Sequence, residues 1–164
     1  MRRATGIVRA GYHAFWLADV AVVPEPFIGC GNGLVLTQPG IAIICTGIST
    51  GKVAVSVEVR NDPPEIVETA DWEEVVEVSI EASTGRVTVV SPGFRRPDLP
   101  LITPDGPGHY RARVHAFGRD AAIDLAPFES AEDYLIVIWP APPAPETVYK
   151  QVDRYGADLR RAAR

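Results

Sequence analysis

Apolar and polar residues alternate with a period of two along much of this chain, the signature of half-buried β-strands. The cleanest run is Lys52 to Arg60. There Val53, Val55, Val57 and Val59 take one face, and Lys52, Ala54, Ser56, Glu58 and Arg60 take the other. Trp72 to Ala82 repeats the pattern, with Val76, Val78 and Ile80 opposite Glu77, Ser79 and Glu81. The turn Ser83-Thr84-Gly85 then leads into Arg86 to Ser91, which reads as a β-hairpin. Ile7 to Val23 reads as one or two strands ended by Pro24 and Pro26, and Gly29 to Gly33 as a turn. Leu34 to Leu36 and Ile41 to Ile48 are short strands split by Pro39-Gly40. Gly108 to Phe117 alternates again, with Tyr110, Ala112, Val114 and Ala116 inward and His109, Arg111, Arg113 and His115 outward. Tyr134 to Trp139 is apolar on both faces and reads as a central strand.

Two segments break the β rhythm. Pro92 to Pro107 is rich in turn residues and is expected to cross between sheets, with Leu99, Leu101 and Ile102 as a brief edge strand. Pro140 to Pro145 is a stiff spacer, and Glu146 to Arg164 has helical periodicity: Val148, Val152, Tyr155 and Leu159 fall on one stripe. Strands dominate and no β–α–β alternation occurs. The expected fold is therefore mainly β: an antiparallel two-sheet β-sandwich over residues 1–139, then, over 140–164, a proline-rich spacer and an amphipathic C-terminal α-helix packed on the domain or on a partner.

Composition narrows the function more than the fold. The 164 residues suit one domain that buries its own core, and a 46% hydrophobic, 23% charged composition is that of a globular protein. A net charge of −5 gives no electrostatic pull toward nucleic acid, and no run of apolar residues is long enough to span a membrane. Met1-Arg2-Arg3 is not followed by a signal-peptide pattern, so a cytoplasmic location is expected. The two cysteines, Cys30 and Cys45, are in no CxxC pair, and whether they pair with each other is open.

No reaction signature is present. His13, His109 and His115 have no metal-binding spacing with each other or with the cysteines, there is no GxSxG, and Gly29-x-Gly31-x-Gly33 is followed by no Lys-Ser/Thr. Neither a metal nor a cofactor is implied. Glu73, Glu74, Glu77 and Glu81 read as charges solvating an outer sheet face. Arg111, Arg113 and His115 line one strand face, with Arg119 in the following turn. They either pair with the neighbouring Glu77/Glu81 strand or form a cationic ridge for an acidic partner. Tyr155 and Leu159 on the helix are the other candidate contacts, in cis, in a homodimer or in a partner's groove. The leading expectation is a non-enzymatic module that binds another protein, as an inhibitor or immunity-type factor. The alternatives are a small-ligand or carbohydrate-binding β-sandwich using Trp16, Trp72, Phe94 and Trp139, and an enzyme using His13, His115 or Cys30.

One resemblance accompanies this reading. Tyr12-His13-Ala14-Phe15, the Val53 to Val59 strand, Val75 to Ile80 followed by Arg86 to Val90, Gly108-His109-Tyr110, and Tyr134 to Pro140 occur in an order similar to that of the bacterial competence protein J family, the DNA-entry nuclease inhibitors. The likeness covers roughly residues 10 to 141. It implies a small all-β protein without catalytic activity that acts by binding a partner protein. The chain departs from the family pattern at Val22 to Gly33, at Pro92 to Pro107 and in the C-terminal helix, and no inhibitory residue carries over.

Overall fold

A computed structural model describes residues 1–93 and 95–164, so Phe94, one of the aromatic residues considered above, lies outside the described residues. The chain forms β1 (Arg2–Ala10), β2 (Ala14–Ala18), β3 (Val35–Gln38), β4 (Ile41–Cys45), β5 (Gly51–Val59), β6 (Glu74–Ala82), β7 (Thr88–Val90), β8 (Gly108–Phe117), β9 (Asp133–Pro140), β10 (Thr147–Gln151) and α1 (Arg154–Ala162). A six-stranded sheet runs in the order β1-β5-β9-β8-β6-β10, and a four-stranded sheet in the order β3-β4-β2-β7. Every pairing is antiparallel except β5 with β9, which is parallel.

The inner faces of the two sheets meet in one core. The even-spaced valines of β5 lie there with Val76, Val78 and Ile80 of β6 and with Tyr110, Ala112, Val114 and Ala116 of β8. Phe15, Leu17, Ala42 and Ile44 face them from the four-stranded sheet. The β9 strand is the central strand its two apolar faces required: Tyr134, Ile136 and Ile138 enter the core, while Leu135, Val137 and Trp139 form a second cluster with Trp72 on the outer face. A matching cluster of Trp16, Ile41, Ile43 and Val90 covers the outer face of the smaller sheet.

The expected hairpin of β6 with β7 does not form. The two strands lie in different sheets, and the turn between them carries the chain across the sandwich. The cause is Asp19, at the end of β2. Its carboxylate accepts hydrogen bonds from the Thr84 backbone at 2.7 Å and the Arg86 backbone at 3.1 Å, and Thr84 Oγ1 donates to it as well. Gly85, at φ 73°, completes the turn, because a Cβ there would lie 2.3 Å from the Gly106 carbonyl carbon. The chain returns to the larger sheet between β7 and β8, so the Pro92 to Pro107 segment is a crossing. Within it Leu99, Leu101 and Ile102 form no strand; Ile102 donates one backbone bond to Val87.

The helix expected from Glu146 begins only at Arg154. Thr147–Gln151 is instead an edge strand on β6, with β-branched and aromatic residues that suit a strand. Asp153 then caps the helix, its side chain accepting from Gly156 N at 2.7 Å. The helix packs on its own domain, with Tyr155 only 7% exposed.

Candidate functional site

The outer face of β8 is not a free surface. Arg111 and Arg113 are each 4% exposed and His115 is 2% exposed. Register explains the arrangement: Glu77 lies directly across from Arg113, and Ser79 directly across from Arg111. Glu77 therefore bridges both arginines, with Oε1 3.0 Å from Arg111 Nε and Oε2 2.9 Å from Arg113 Nε. This is cross-strand pairing, the first of the two arrangements that the sequence left open. Arg111 is fully partnered, because its remaining nitrogens donate to Ser79 Oγ and to the carbonyls of Glu77, Ala144 and Pro145. The proline-rich spacer thus serves as a lid for Arg111.

Arg113 is held differently. Its guanidinium carbon lies 5.1 Å from the ring centres of both Trp139 and Tyr149, so aromatic faces fix its plane. Beside it, His115 Nδ1 lies 3.0 Å from the Leu135 carbonyl oxygen. A carbonyl only accepts, so Nδ1 carries the proton and Nε2 the lone pair. Burial, opposed by that hydrogen bond and aided by Arg113, depresses the His115 pKa to about 4 and keeps the ring neutral. Both side chains, with Leu135 and Val137, floor a 480 Å³ cleft whose far wall is the segment from Asp62 to Glu68 after β5. Glu58 and Arg60 border the same cleft and form a 2.9 Å ion pair with each other.

Arg119 is the deepest charge. It is fully buried just after β8, and it ties both sheets to the C-terminal helix. Its Nε and Nη2 donate to the two Asp153 carboxylate oxygens at 2.7 and 2.9 Å, and its Nη1 donates to the Cys45 carbonyl at 3.0 Å. Glu74 approaches Arg119 Nη2 at 3.4 Å and Arg160 Nη1 at 3.0 Å. Burial, reinforced by the Asp153 carboxylate, pushes Glu74 up to about 7. Glu73 and Glu81 remain on the periphery, whereas Glu74 and Glu77, read from the sequence as solvated, are buried at 0% and 7% exposure.

Tyr155 closes a third group. Its ring stacks on His13 and lies 5.1 Å from the Arg119 guanidinium carbon. His13 Nε2 meets Asp124 Oδ1 at 3.0 Å, and Nδ1 faces both Tyr155 Oη and the Thr46 carbonyl. Leu159 packs partly buried beside Tyr155, Cys30 and Cys45. Both cysteines are free and buried. The neighbouring Cys45 thiol lowers the Cys30 pKa, and the contact with Cys30 together with burial raises that of Cys45.

The residues singled out in the sequence thus fall into two neighbourhoods: Arg111, Arg113 and His115 on the outer face of β8, and Arg119, Tyr155 and Leu159 under the helix. Trp72 and Trp139 share one cluster and Trp16 occupies another, so these tryptophans do not line a common groove. Missed by the sequence reading were Glu74, Asp153, the buried Glu132 that accepts from Gly47 and Ile48, and the Asp62 to Glu68 wall. Asp153 was the legible one, as an N-cap residue before a helical run. Among the described residues, no group of three or more His, Cys, Asp or Glu side chains is placed to hold a metal, and no helix is long and apolar enough to cross a membrane.

The fold is similar to that of ComJ from Bacillus subtilis, an inhibitor of the DNA-degrading activity of NucA. The match has a TM-score of 0.57 at 12% identity and covers 86% of this chain and 96% of ComJ. A second likeness, to crocagin biosynthetic gene J, has a TM-score of 0.49 at 17% identity over 87% of this chain and 100% of that one. No family model matches the sequence, and no curated protein matches it. At these identities the likeness to ComJ is one of fold.

Proposed function

We propose that this chain is a non-enzymatic protein-binding module of the inhibitor type. The supporting observation is the shared fold with ComJ over 86% of this chain and 96% of that inhibitor. A nuclease is accordingly the first class of partner to test. Arg111, Arg113 and His115 are buried, so the partner surface we put forward lies elsewhere, beside β1 and β5. There Ile7 is 60% exposed and Phe128 is 90% exposed, and both border a cleft with Lys52. Arg9 borders the adjoining cleft, which also contains Phe128 and Lys52. Exposed apolar side chains beside Lys52 and Arg9, with Glu129 at the rim, suit a partner that presents apolar groups and charges of both signs.

The test is co-purification of the tagged full chain with nucleases of its own cell, followed by a DNA-degradation assay. We expect a nuclease to be captured and slowed, and we expect Phe128→Ser combined with Arg9→Glu to abolish capture while leaving the melting temperature unchanged. A chain that captures and inhibits no nuclease overturns the reading. Capture that survives the double substitution moves the surface.

A further inference from the structure

Arg113 carries unused hydrogen-bonding capacity inside the protein. Its only hydrogen bond among the described residues runs from Nε to Glu77, so the fork of Nη1 and Nη2 has no protein partner. Trp16 Nε1 is the one side-chain polar atom, among the described residues, that is sealed from solvent without a partner. The Arg113 fork is therefore not sealed, and Arg113 is one of the residues lining the 480 Å³ cleft. Arg111, on the same strand, shows the contrast: all of its nitrogens are satisfied internally. Arg113, 4% exposed, with two aromatic rings 5.1 Å from its guanidinium carbon and its fork left free, is preorganised for a bidentate carboxylate.

The rest of the cleft selects what that carboxylate belongs to. Leu135 and Val137 make the floor apolar, and Ile66 on the far wall is 75% exposed. Glu65 and Glu68 on that wall are exposed carboxylates without an ion-pair partner among the described residues. His115 offers no positive charge and leaves a lone pair at Nε2. An anion alone would be held by Arg113 and repelled by the wall, and a cation alone would meet the reverse. A molecule with both charges and an apolar side chain satisfies every surface.

We propose that this cleft binds a free apolar α-amino acid, with the carboxylate on the Arg113 fork, the ammonium toward Glu65 and Glu68, and the side chain over Leu135 and Val137. The site does not depend on the inhibitor reading, because it needs only the folded chain.

The experiment is calorimetric titration of the full-length protein with leucine, leucinamide and N-acetylleucine, with amide chemical shifts recorded in parallel. Leucine is expected to bind and to shift the signals of Arg113, His115, Leu135 and Val137. Leucinamide lacks the carboxylate and N-acetylleucine lacks the ammonium, and each is expected to bind at least about tenfold more weakly, the loss of one charge-assisted contact. Glu65→Gln with Glu68→Gln, on an exposed segment that leaves the fold intact, should weaken leucine and, by removing the repulsion of the wall, strengthen N-acetylleucine. Arg113→Lys should abolish leucine binding. The proposal is overturned if leucine fails to bind, if the three probes bind alike, or if the shifts map away from the cleft.

Discussion

At the scale of single residues, burial turns ordinary charges into determinants of stability. His115 is the clearest case. Its folded pKa of about 4 lies below the ordinary histidine value of 6.5. Stability from its neutral form is therefore complete above pH 6.5 and is lost as the pH falls toward 4, by about 3 kcal/mol. Glu74 acts in the opposite sense: a folded pKa of about 7, above the ordinary 4.5, gives a contribution complete below 4.5 and lost as the pH rises toward 7. The two are separated by difference. His115→Gln keeps a donor for the Leu135 carbonyl, and urea unfolding between pH 7 and pH 4 should show that it removes the acid-side loss while the Glu74 trend persists. None of this was visible in the sequence, where His115 and Glu77 were outward residues on alternating strands. Alternation identifies the outer face, but what covers that face depends on the spacer and β10, more than twenty residues further along the chain.

At the scale of elements, single side chains decide which strands meet. The strands themselves were legible: Val53 to Val59, Val76 to Ile80 and Tyr134 to Trp139 lie where their periodicity put them. Their pairing was not, because a short turn serves a hairpin and a crossing equally well until Asp19 takes hold of it. Burial alone would raise the Asp19 pKa, yet the bonds from Thr84, Val20 and Arg86 outweigh it and hold the carboxyl below its usual value. Asp19→Ala would orphan those donors. A loss of about 3 kcal/mol is expected in thermal or urea unfolding. The C-terminal segment misled for a different reason. Val148, Val152, Tyr155 and Leu159 carry helical spacing by coincidence, since Val148 lies within a strand, Val152 just beyond it, and only the last two lie on the helix. Reading Asp153 as the N-cap would have put the boundary in place.

At the scale of the whole molecule, Arg119 is the tie between the sheets and the C-terminus. Arg119→Ala would leave Asp153 buried without its cation and Glu74 with Arg160 alone, and a loss of about 4 kcal/mol is expected in urea unfolding. A chain stopped after Ala144 should fare worse, failing to show a cooperative transition, because Arg119 would lose its Asp153 partner and Arg111 its Pro145 contact. The sheet order has a consequence for how the protein is made. The β9 strand sits between β5 and β8, so from residue 59 until residue 133 has been synthesised one edge of β5 has no neighbour. A ribosome delivers the middle of this sheet almost last. Pairing across such long stretches of chain is slow, and apolar edges that wait are edges that can join those of other nascent chains. A longer wait between residues 59 and 133 is therefore expected to lower the yield of folded protein without altering a single native contact.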